Sequence, residues 1–281
     1  MVSKLSHFTK KKDFLVCVDS DGCAMNTMTI KHTQCFGPYM IAEWGLEQWR
    51  DEILARWNAI NLHTMTRGIN RFQALTMALG EIREKYCEIE DLENLEQWTQ
   101  TSAELTNCAL ERAVAQSDSI CLKKALSWSI AVDRSVAHLT RDEKRPFDGV
   151  RRALARAHRY ADVAVISNAN LSTVLEEWDL YGLLEHTDIV LARDSGSKIH
   201  CIDSLIKMGY TKHHVLLCGD APDDLHAAQE NDILFYPILA KHENESWEEF
   251  SVAGFAHLLK GEYAGAYQQN KIDAFLKNLG G

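Results

Sequence analysis

The sequence is poor in the features that mark disordered, secreted or membrane-spanning chains. It has only four prolines among 281 residues and no tract rich in serine and glycine, which argues against a long disordered segment. No apolar run approaches the roughly 18 residues that a membrane-spanning helix needs, and the basic start is not followed by a signal-peptide pattern. We therefore expect a soluble protein of the cytoplasm.

An excess of positive charge is also lacking, and so are paired cysteines. The chain carries 30 Lys and Arg against 40 Asp and Glu, a formal charge of −10, which disfavours nucleic acid or an anionic membrane as a partner. None of the eight cysteines forms a CxxC pair, and Cys17 and Cys218 fall inside apolar runs. This usage is typical of reduced thiols. The pattern specifies no oligomeric state.

Two kinds of hydrophobic pattern, one typical of strands and one typical of helices, alternate along the chain. The run FLVCV at 14–18 predicts a strand, whereas residues 25–147 show helical periodicity and no comparable strand run. After residue 147, predicted strands alternate with helices, which indicates βαβ units and a parallel sheet. We predict an α/β fold, a Rossmann-like three-layer core at 1–24 and 148–281 with an all-α domain inserted at 25–147. The later strands are predicted at 161–166, 188–192, 214–218 and 233–239.

Polar residues follow the predicted strands at the points where each strand ends. Because parallel strands present their carboxyl ends at one edge of the sheet, where α/β proteins bind ligands, these side chains are expected to lie together. Two acids two residues apart after a buried strand would repel each other, and a divalent cation resolves that repulsion. The residues concerned are Asp19, Asp21 and Gly22 after the first strand, Ser167 and Asn168 after the second, Lys198 at a helix start after the third, and Asp220, Asp223 and Asp224 after the fourth.

Each of these residues also has an ordinary explanation when taken singly. Asp223, Asp224 or Ser167 would serve as a helix cap, and Lys198 as a solvated surface lysine. Acids, a hydroxyl and a lysine at the carboxyl ends of adjacent strands nevertheless form a set that could bind a metal ion and a phosphoryl group together. The combination favours a phosphoryl-transfer site.

DSDG after the first strand, SN after the second, a lysine before a helix, and GDAPDD after a later strand resemble the four ordered motifs of the haloacid dehalogenase superfamily. The resemblance covers the predicted core, and the helical insertion matches the position of that family's C1 cap. Within it, TRGINRFQAL at 66–75 resembles the specificity loop of the β-phosphoglucomutase and phosphoglycolate phosphatase branch. There Arg71 would reach a distal group of the substrate, while a helix-capping turn explains the same segment.

The resemblance implies a catalytic role for each matched residue. Asp19 would attack phosphorus and form an aspartyl-phosphate. Asp21 would protonate the leaving alkoxide and then deprotonate the hydrolytic water, for which its pKa must rise above about 3.9 through partial desolvation. Ser167 would donate a hydrogen bond to the phosphoryl group, Lys198 would neutralise charge on it, and the backbone N–H of Asn168 could assist.

The resemblance also implies a magnesium ion held by oxygen ligands. Its ligands would be Asp19, the main-chain carbonyl of Asp21, and Asp220, with Asp224 binding directly or through water. GDAPDD offers Asp223 beside Asp224, so the second acid of this motif is ambiguous by one residue. The first motif usually continues to another acid near position 26, where this sequence has Asn26.

Three functions are compatible with these residues. The first is a magnesium-dependent phosphatase acting on a small phosphorylated metabolite, since the acid at position 21 favours an oxygen leaving group. The second is a sugar phosphomutase of the β-phosphoglucomutase type, which would share every core residue and use Arg71 as an anchor for a bisphosphate. The third is a non-catalytic phospho-accepting domain, although such a domain need not keep Asp19, Asp21, Lys198 and Asp220 together.

Overall fold

The computed structural model describes residues 5–280 and divides the chain into two compact units. The first unit extends to Met28 and resumes at Arg141, and the second is Thr29–Thr140. The sequence places these boundaries after residues 24 and 147, so the first unit of the structure also includes residues 25–28 and 141–147. Residues 1–4 and 281, which the sequence prediction assigns to the core, lie outside the described residues.

The first unit is built on a parallel sheet. The strands described are β1 Phe14–Val18, β2 Ala161–Ile166, β3 Ile189–Leu191, β4 Val215–Gly219 and β5 Leu234–Pro237. Their order in the sheet is β3-β2-β1-β4-β5, and every neighbouring pair is parallel, which confirms the predicted α/β class. β1 is central because it pairs with β2 on one side and β4 on the other, and all five carboxyl ends therefore share one edge.

Both faces of this sheet are buried, which explains the nearly continuous apolar sequence of its strands. Alternate residues of β1 enter two different cores: Val16 and Val18 belong to one, Leu15 and Cys17 to the other. Helices cover each face and make the unit three-layered. The helices of this unit are Val150–Ala157, Leu171–Leu180, Lys198–Ile206, Pro222–Glu230, Glu243–Glu249, Phe255–Lys260 and Ala266–Asn278.

The second unit, Thr29–Thr140, consists of helices joined by turns and has its own apolar core. The indoles of Trp57 and Trp128 are fully buried there, 6.1 Å apart edge to face. None of the helices described between residues 5 and 280 is both long and apolar enough to span a membrane. The helices of the second unit are Gly37–Trp44, Arg50–Asn58, Arg71–Lys85, Leu92–Thr101, Asn107–Gln116 and Ile120–Ala137, with π-helical turns at Lys31–Phe36 and Ala59–His63; the short helix Met28–Ile30 begins one residue before the unit.

A buried carboxylate fixes the segment that enters β1. Asp162, at the start of β2, is fully buried, and its Oδ2 accepts the backbone N–H groups of Lys11 and Lys12 at 2.8 and 3.1 Å. The hydroxyl of Tyr210 donates to the same oxygen at 2.5 Å. The chain thus enters the central strand in a position that three hydrogen bonds define.

Replacing this carboxylate removes the acceptor of three donors, the buried hydroxyl of Tyr210 and the part-buried N–H groups of Lys11 and Lys12. We expect Asp162→Ala to lower the free energy of unfolding by about 3 kcal/mol or more in urea titrations. Asp13→Ala is the matched control, because the Asp13 side chain is 85% exposed; its effect should stay within about 0.5 kcal/mol. Similar losses from the two variants would contradict the role assigned to Asp162.

Candidate active site

Three buried carboxylates meet at the carboxyl edge of the sheet. Asp19 follows β1, Asp220 follows β4, and Asp224 lies in the first turn of the helix Pro222–Glu230. One carboxylate oxygen from each lies within 4.8 Å of the other two. The N–H of Asp19 donates to the carbonyl of Cys218 at 3.0 Å, which continues the β1–β4 pairing up to the cluster. The pairing of β1 with β4 therefore brings Asp19 and Asp220 together, and the helix that follows β4 adds Asp224.

A single buried lysine joins two of these acids. Nζ of Lys198 lies 3.2 Å from the carboxylate of Asp19 and 2.5 Å from that of Asp224, and its side chain is only 6% exposed. Lys198 is the first residue of the helix Lys198–Ile206, which begins where the side chain of Ser197 accepts the N–H of His200. Helix capping thus sets the direction from which the ammonium enters the cluster.

Asp224 is held from both sides, whereas Asp223 is exposed. The second oxygen of Asp224 accepts the backbone N–H groups of Asp220 and Ala221, both at 3.1 Å. A Cβ added to Gly219 would lie 2.3 Å from the Cβ of Asp224, so only glycine leaves room for that carboxylate. Of the two neighbouring acids that the sequence offers, the structure places Asp224 in the cluster and Asp223 at the surface.

The charges in this cluster are unevenly balanced. Burial raises the pKa of Asp19 well above its usual value; Lys198 opposes that rise, and the carboxylates of Asp224, Asp220 and Asp21 add to it. Burial alone would lower the pKa of Lys198, but Asp19 and Asp224 outweigh it and raise that pKa, so the ammonium stays charged. Three carboxylates face one ammonium, which leaves an excess of negative charge in the cluster. A hard cation, which prefers oxygen ligands, would balance that charge.

Asp21 is half-buried and has a partner that the sequence analysis missed. The hydroxyl of Thr27, which is fully buried, donates to Oδ1 of Asp21 at 2.5 Å. Thr27 lies six residues further along the chain, and no periodicity or motif spacing pairs the two positions. Only the folded loop, which turns sharply at Gly22 with φ of 83°, brings them together.

The two residues after β2 differ in exposure. Ser167 is buried, and its Oγ accepts the N–H of Ala169 at 3.1 Å, so its own O–H must be directed elsewhere. Asn168 is exposed, and its carbonyl accepts Nε of Arg193 at 3.0 Å. The serine is thus fixed by a local turn at the end of a strand adjacent to β1.

Arg71 lies in the helical unit and begins the helix Arg71–Lys85. The side chain of Asn70 caps that helix by accepting the N–H of Phe72 at 2.9 Å, so the capping turn offered by the sequence is present. Nη1 of Arg71 lies 2.6 Å from Asp133 and 3.1 Å from Oγ of Ser129. The guanidinium is thus engaged within its own unit.

The family of the chain follows from a comparison with family models. The model described as haloacid dehalogenase-like hydrolase matches residues 79–237, which is 159 of 281 residues and more than half of the chain. The chain therefore belongs to the haloacid dehalogenase-like hydrolase family. The matched segment contains Ser167, Lys198, Asp220 and Asp224, while Asp19 precedes it.

A comparison with solved structures finds only distant similarities. A haloacid dehalogenase-like family hydrolase from Xanthomonas campestris is 12% identical, with 89% of this chain and 98% of that chain covered and a TM-score of 0.48. A proposed phosphoglycolate phosphatase from Lactobacillus delbrueckii is 15% identical, with 80% and 85% covered and a TM-score of 0.49. A proposed β-phosphoglucomutase from Thermotoga maritima is 15% identical, with 80% and 84% covered and a TM-score of 0.45. None of the curated proteins matches the sequence. The family assignment accordingly rests on the match at residues 79–237.

Proposed function

We propose that this protein is a magnesium-dependent phosphatase that hydrolyses a small phosphorylated metabolite through an aspartyl-phosphate on Asp19. The observation that carries the proposal is the buried cluster of Asp19, Asp220 and Asp224 with Lys198 bridging two of them. A carboxylate beside a buried ammonium and a cation-binding acid set is suited to attack on a dianionic phosphate, which would otherwise repel it.

The residues present fit Mg²⁺ as the cofactor. All three cluster side chains offer carboxylate oxygens, which Mg²⁺ prefers, and the main-chain carbonyl of Asp21 adds an oxygen from the same loop. We assign Asp19, Asp21 and Asp220 as ligands, with Asp224 supporting the site through its contacts to Lys198 and to the backbone of Asp220. When bound, the cation would screen the repulsion between nucleophile and phosphate.

The two acids of the first motif divide the proton and phosphoryl chemistry. A carboxylate oxygen of Asp19 forms a bond to phosphorus as the ester oxygen departs, and Asp21 gives that oxygen its proton. Asp21 then takes a proton from a water molecule, which attacks phosphorus and releases inorganic phosphate and the free carboxylate of Asp19. The hydrogen bond from Thr27 keeps Asp21 oriented during both transfers.

The remaining core residues stabilise the transferring group. We assign the hydroxyl of Ser167 as a donor to a phosphoryl oxygen, the ammonium of Lys198 as the fixed positive charge, and the backbone N–H of Asn168 as a further donor. Both Ser167 and Lys198 are buried, which strengthens their electrostatic effect relative to water. Substrate choice would then belong to the helical unit, which we propose to be a cap.

The ion pair of Arg71 favours the phosphatase over the phosphomutase. A mutase needs a cation that anchors the second phosphate of its bisphosphate intermediate, yet Arg71 already pairs with Asp133. The side chain of Asp133 is half-exposed, so a substrate anion could take its place beside Arg71. Binding of that anion would then break the ion pair between Arg71 and Asp133. We therefore keep Arg71 as a substrate-binding candidate for a distal group and rank the mutase second.

The proposal is tested by phosphate release. We expect purified protein to release inorganic phosphate from at least one member of a panel of sugar phosphates, short phosphorylated acids and nucleotides, and to need Mg²⁺ for it. EDTA should abolish release and excess Mg²⁺ should restore it, because the single charge of Lys198 does not balance the three carboxylates of the cluster and a dianionic phosphate. Phosphate release that persists in EDTA would contradict the metal assignment. Phosphorylation of Asp19 without release would favour the mutase or the phospho-accepting domain.

Gly219 offers a second test of the same cluster. We expect Gly219→Ala to lower kcat about 100-fold, because the added methyl group must displace the carboxylate of Asp224 and with it Lys198. The matched control is Gly80→Ala in a helix of the second unit, where a Cβ would meet nothing within 4 Å; kcat should stay within about twofold there. Equal kcat values for the two variants would contradict this packing argument.

A further inference from the structure

Two buried indoles hold the loop that carries Asp19 and Asp21. Nε1 of Trp178 donates to Oγ of Ser20 at 2.9 Å, and Nε1 of Trp247 donates to the carbonyl of Cys23 at 2.8 Å. Both tryptophans are fully buried, on the helices Leu171–Leu180 and Glu243–Glu249, and belong to one core on one face of the sheet. The loop after β1 is thus fastened to that core at two points.

Ser20 is the centre of this loop. Its carbonyl accepts the N–H groups of Ala24 and Met25 at 3.0 and 2.8 Å, and Gly22 closes the turn by donating to the carbonyl of Met25 at 2.9 Å. Its side chain is 1% exposed and is the only one that separates Asp19 from Asp21 in the sequence. A shift of Ser20 therefore moves both acids.

We propose that Trp178 is a positioning residue for the reaction: its indole N–H holds Ser20 and thereby fixes Asp19 relative to Asp21. Trp247 provides the second attachment, at Cys23. This inference rests on the proposed function, since it assigns the purpose of the two acids to phosphoryl and proton transfer. It adds a residue, on a helix far along the chain, that touches neither substrate nor metal.

The hydrogen bond between Trp178 and Ser20 restricts the loop after β1 to one position. A buried indole N–H without an acceptor is costly, so Trp178 retains its geometry only while Ser20 stays within hydrogen-bond distance. An apolar residue at position 20 would pack equally well over a range of loop positions. Reaction rates are sensitive to such freedom, because a misplacement of about 1 Å can lower a rate about 100-fold.

The test is a double-mutant cycle on Ser20 and Trp178. We expect Ser20→Ala and Trp178→Phe each to lower kcat by about tenfold or more while KM stays within about twofold, because the contact positions reacting groups rather than binding substrate. The double variant should have the kcat of the slower single variant, since both changes remove one contact. A kcat in the double variant equal to the product of two independent losses would overturn the proposal.

Tyr263→Phe is the matched control. Tyr263 is buried in the same core, and its hydroxyl donates to the carbonyl of Phe235 at 2.8 Å, away from the loop. The variant also loses one buried hydrogen bond, so its melting temperature should fall comparably while kcat stays within about twofold. Should Trp178→Phe fail to fold, Ser20→Ala carries the test alone, and an unchanged kcat in Ser20→Ala overturns the inference.

A readout independent of turnover separates this inference from the proposed function. In protein labelled with 5-fluorotryptophan, the ¹⁹F resonance of Trp178 is the one missing from Trp178→Phe. We expect it to shift in Ser20→Ala and, in the wild type, on titration with Mg²⁺ alone. Ser20→Ala should bind Mg²⁺ about threefold or more weakly, since Asp19 and Asp21 are proposed ligands.

If the wild type hydrolyses no ester, the proposed function fails, and the Mg²⁺ affinity then decides the positioning role by itself. An unchanged Mg²⁺ affinity in Ser20→Ala overturns that role, and a weakened affinity supports it.

Discussion

Asp19→Asn should lower kcat/KM by about 10⁴-fold or more, the largest effect expected of any single substitution in this protein. An amide is a poor nucleophile toward phosphorus and offers the cation a neutral ligand in place of a charged one. The measurement is phosphate release under excess Mg²⁺, together with acid-quenched phosphoenzyme, which the variant should not form. Activity in Asp19→Asn comparable with the wild type would remove Asp19 from the mechanism.

The pH dependence of stability gives the same variant a control that does not depend on activity. Burial raises the pKa of Asp19 in the folded protein, so between the unfolded value near 3.9 and that raised pKa the folded state binds the extra proton. Without Mg²⁺, the contribution of Asp19 to stability should therefore fall as pH rises through this window. Asp19→Asn should remove that slope, and Mg²⁺ should suppress it in the wild type. An unchanged slope in the variant would show that another group titrates.

Asp224→Asn should give the second-largest combined effect: kcat should fall about 100-fold, as expected for Gly219→Ala, and metal-free stability should also fall by about 3 kcal/mol. Asp224 accepts Lys198 through one oxygen and two backbone N–H groups through the other. An amide cannot satisfy both sets, because one of its two atoms is a donor. The ammonium would then be left buried with Asp19 as its remaining close carboxylate.

The neighbouring residue provides the matched control for this prediction. Asp223→Asn changes the same chemical group one position away on the same helix, but Asp223 is exposed. Its kcat should stay within about twofold and its free energy of unfolding within about 0.5 kcal/mol. The two variants are to be compared by urea unfolding and by phosphate release. Equal effects, or a larger effect at Asp223, would reverse the assignment of the second acid.

The strands were predictable because their local sequence and their tertiary environment agree. The predicted strands at 14–18 and 161–166 have the bounds that the structure shows for β1 and β2, and the others are shorter or shifted by one or two residues. Strands buried on both faces need continuous apolar runs, and those runs are visible in the sequence. The ends are less well defined, because hydrogen bonding to the neighbouring strand determines them and no local pattern does.

The candidate site was predictable only for residues that follow strands. Asp19, Ser167 and Asp220 are found by that position alone, since strand ends in a parallel sheet share one edge. Thr27 and Trp178 were missed, because each acts through a single hydrogen bond between positions with no sequence relation. The choice between Asp223 and Asp224 likewise needed the orientation of the helix Pro222–Glu230. Consecutive side chains on a helix point about 100° apart around its axis, so only one of the two acids can face the cluster.

The sequence by itself determined the α/β class, the helical character of the insertion that it placed at 25–147, and the positions from which acids, a hydroxyl and a lysine reach the sheet edge. These follow from periodicity and from the sheet's parallel order, which are local or topological properties. Tertiary structure alone decided that Lys198 joins Asp19 to Asp224, that Arg71 pairs with Asp133, and that an indole holds Ser20. Such contacts depend on distances of about 3 Å between distant segments, and hydrogen bonds and ion pairs form only when packing brings both partners within that range.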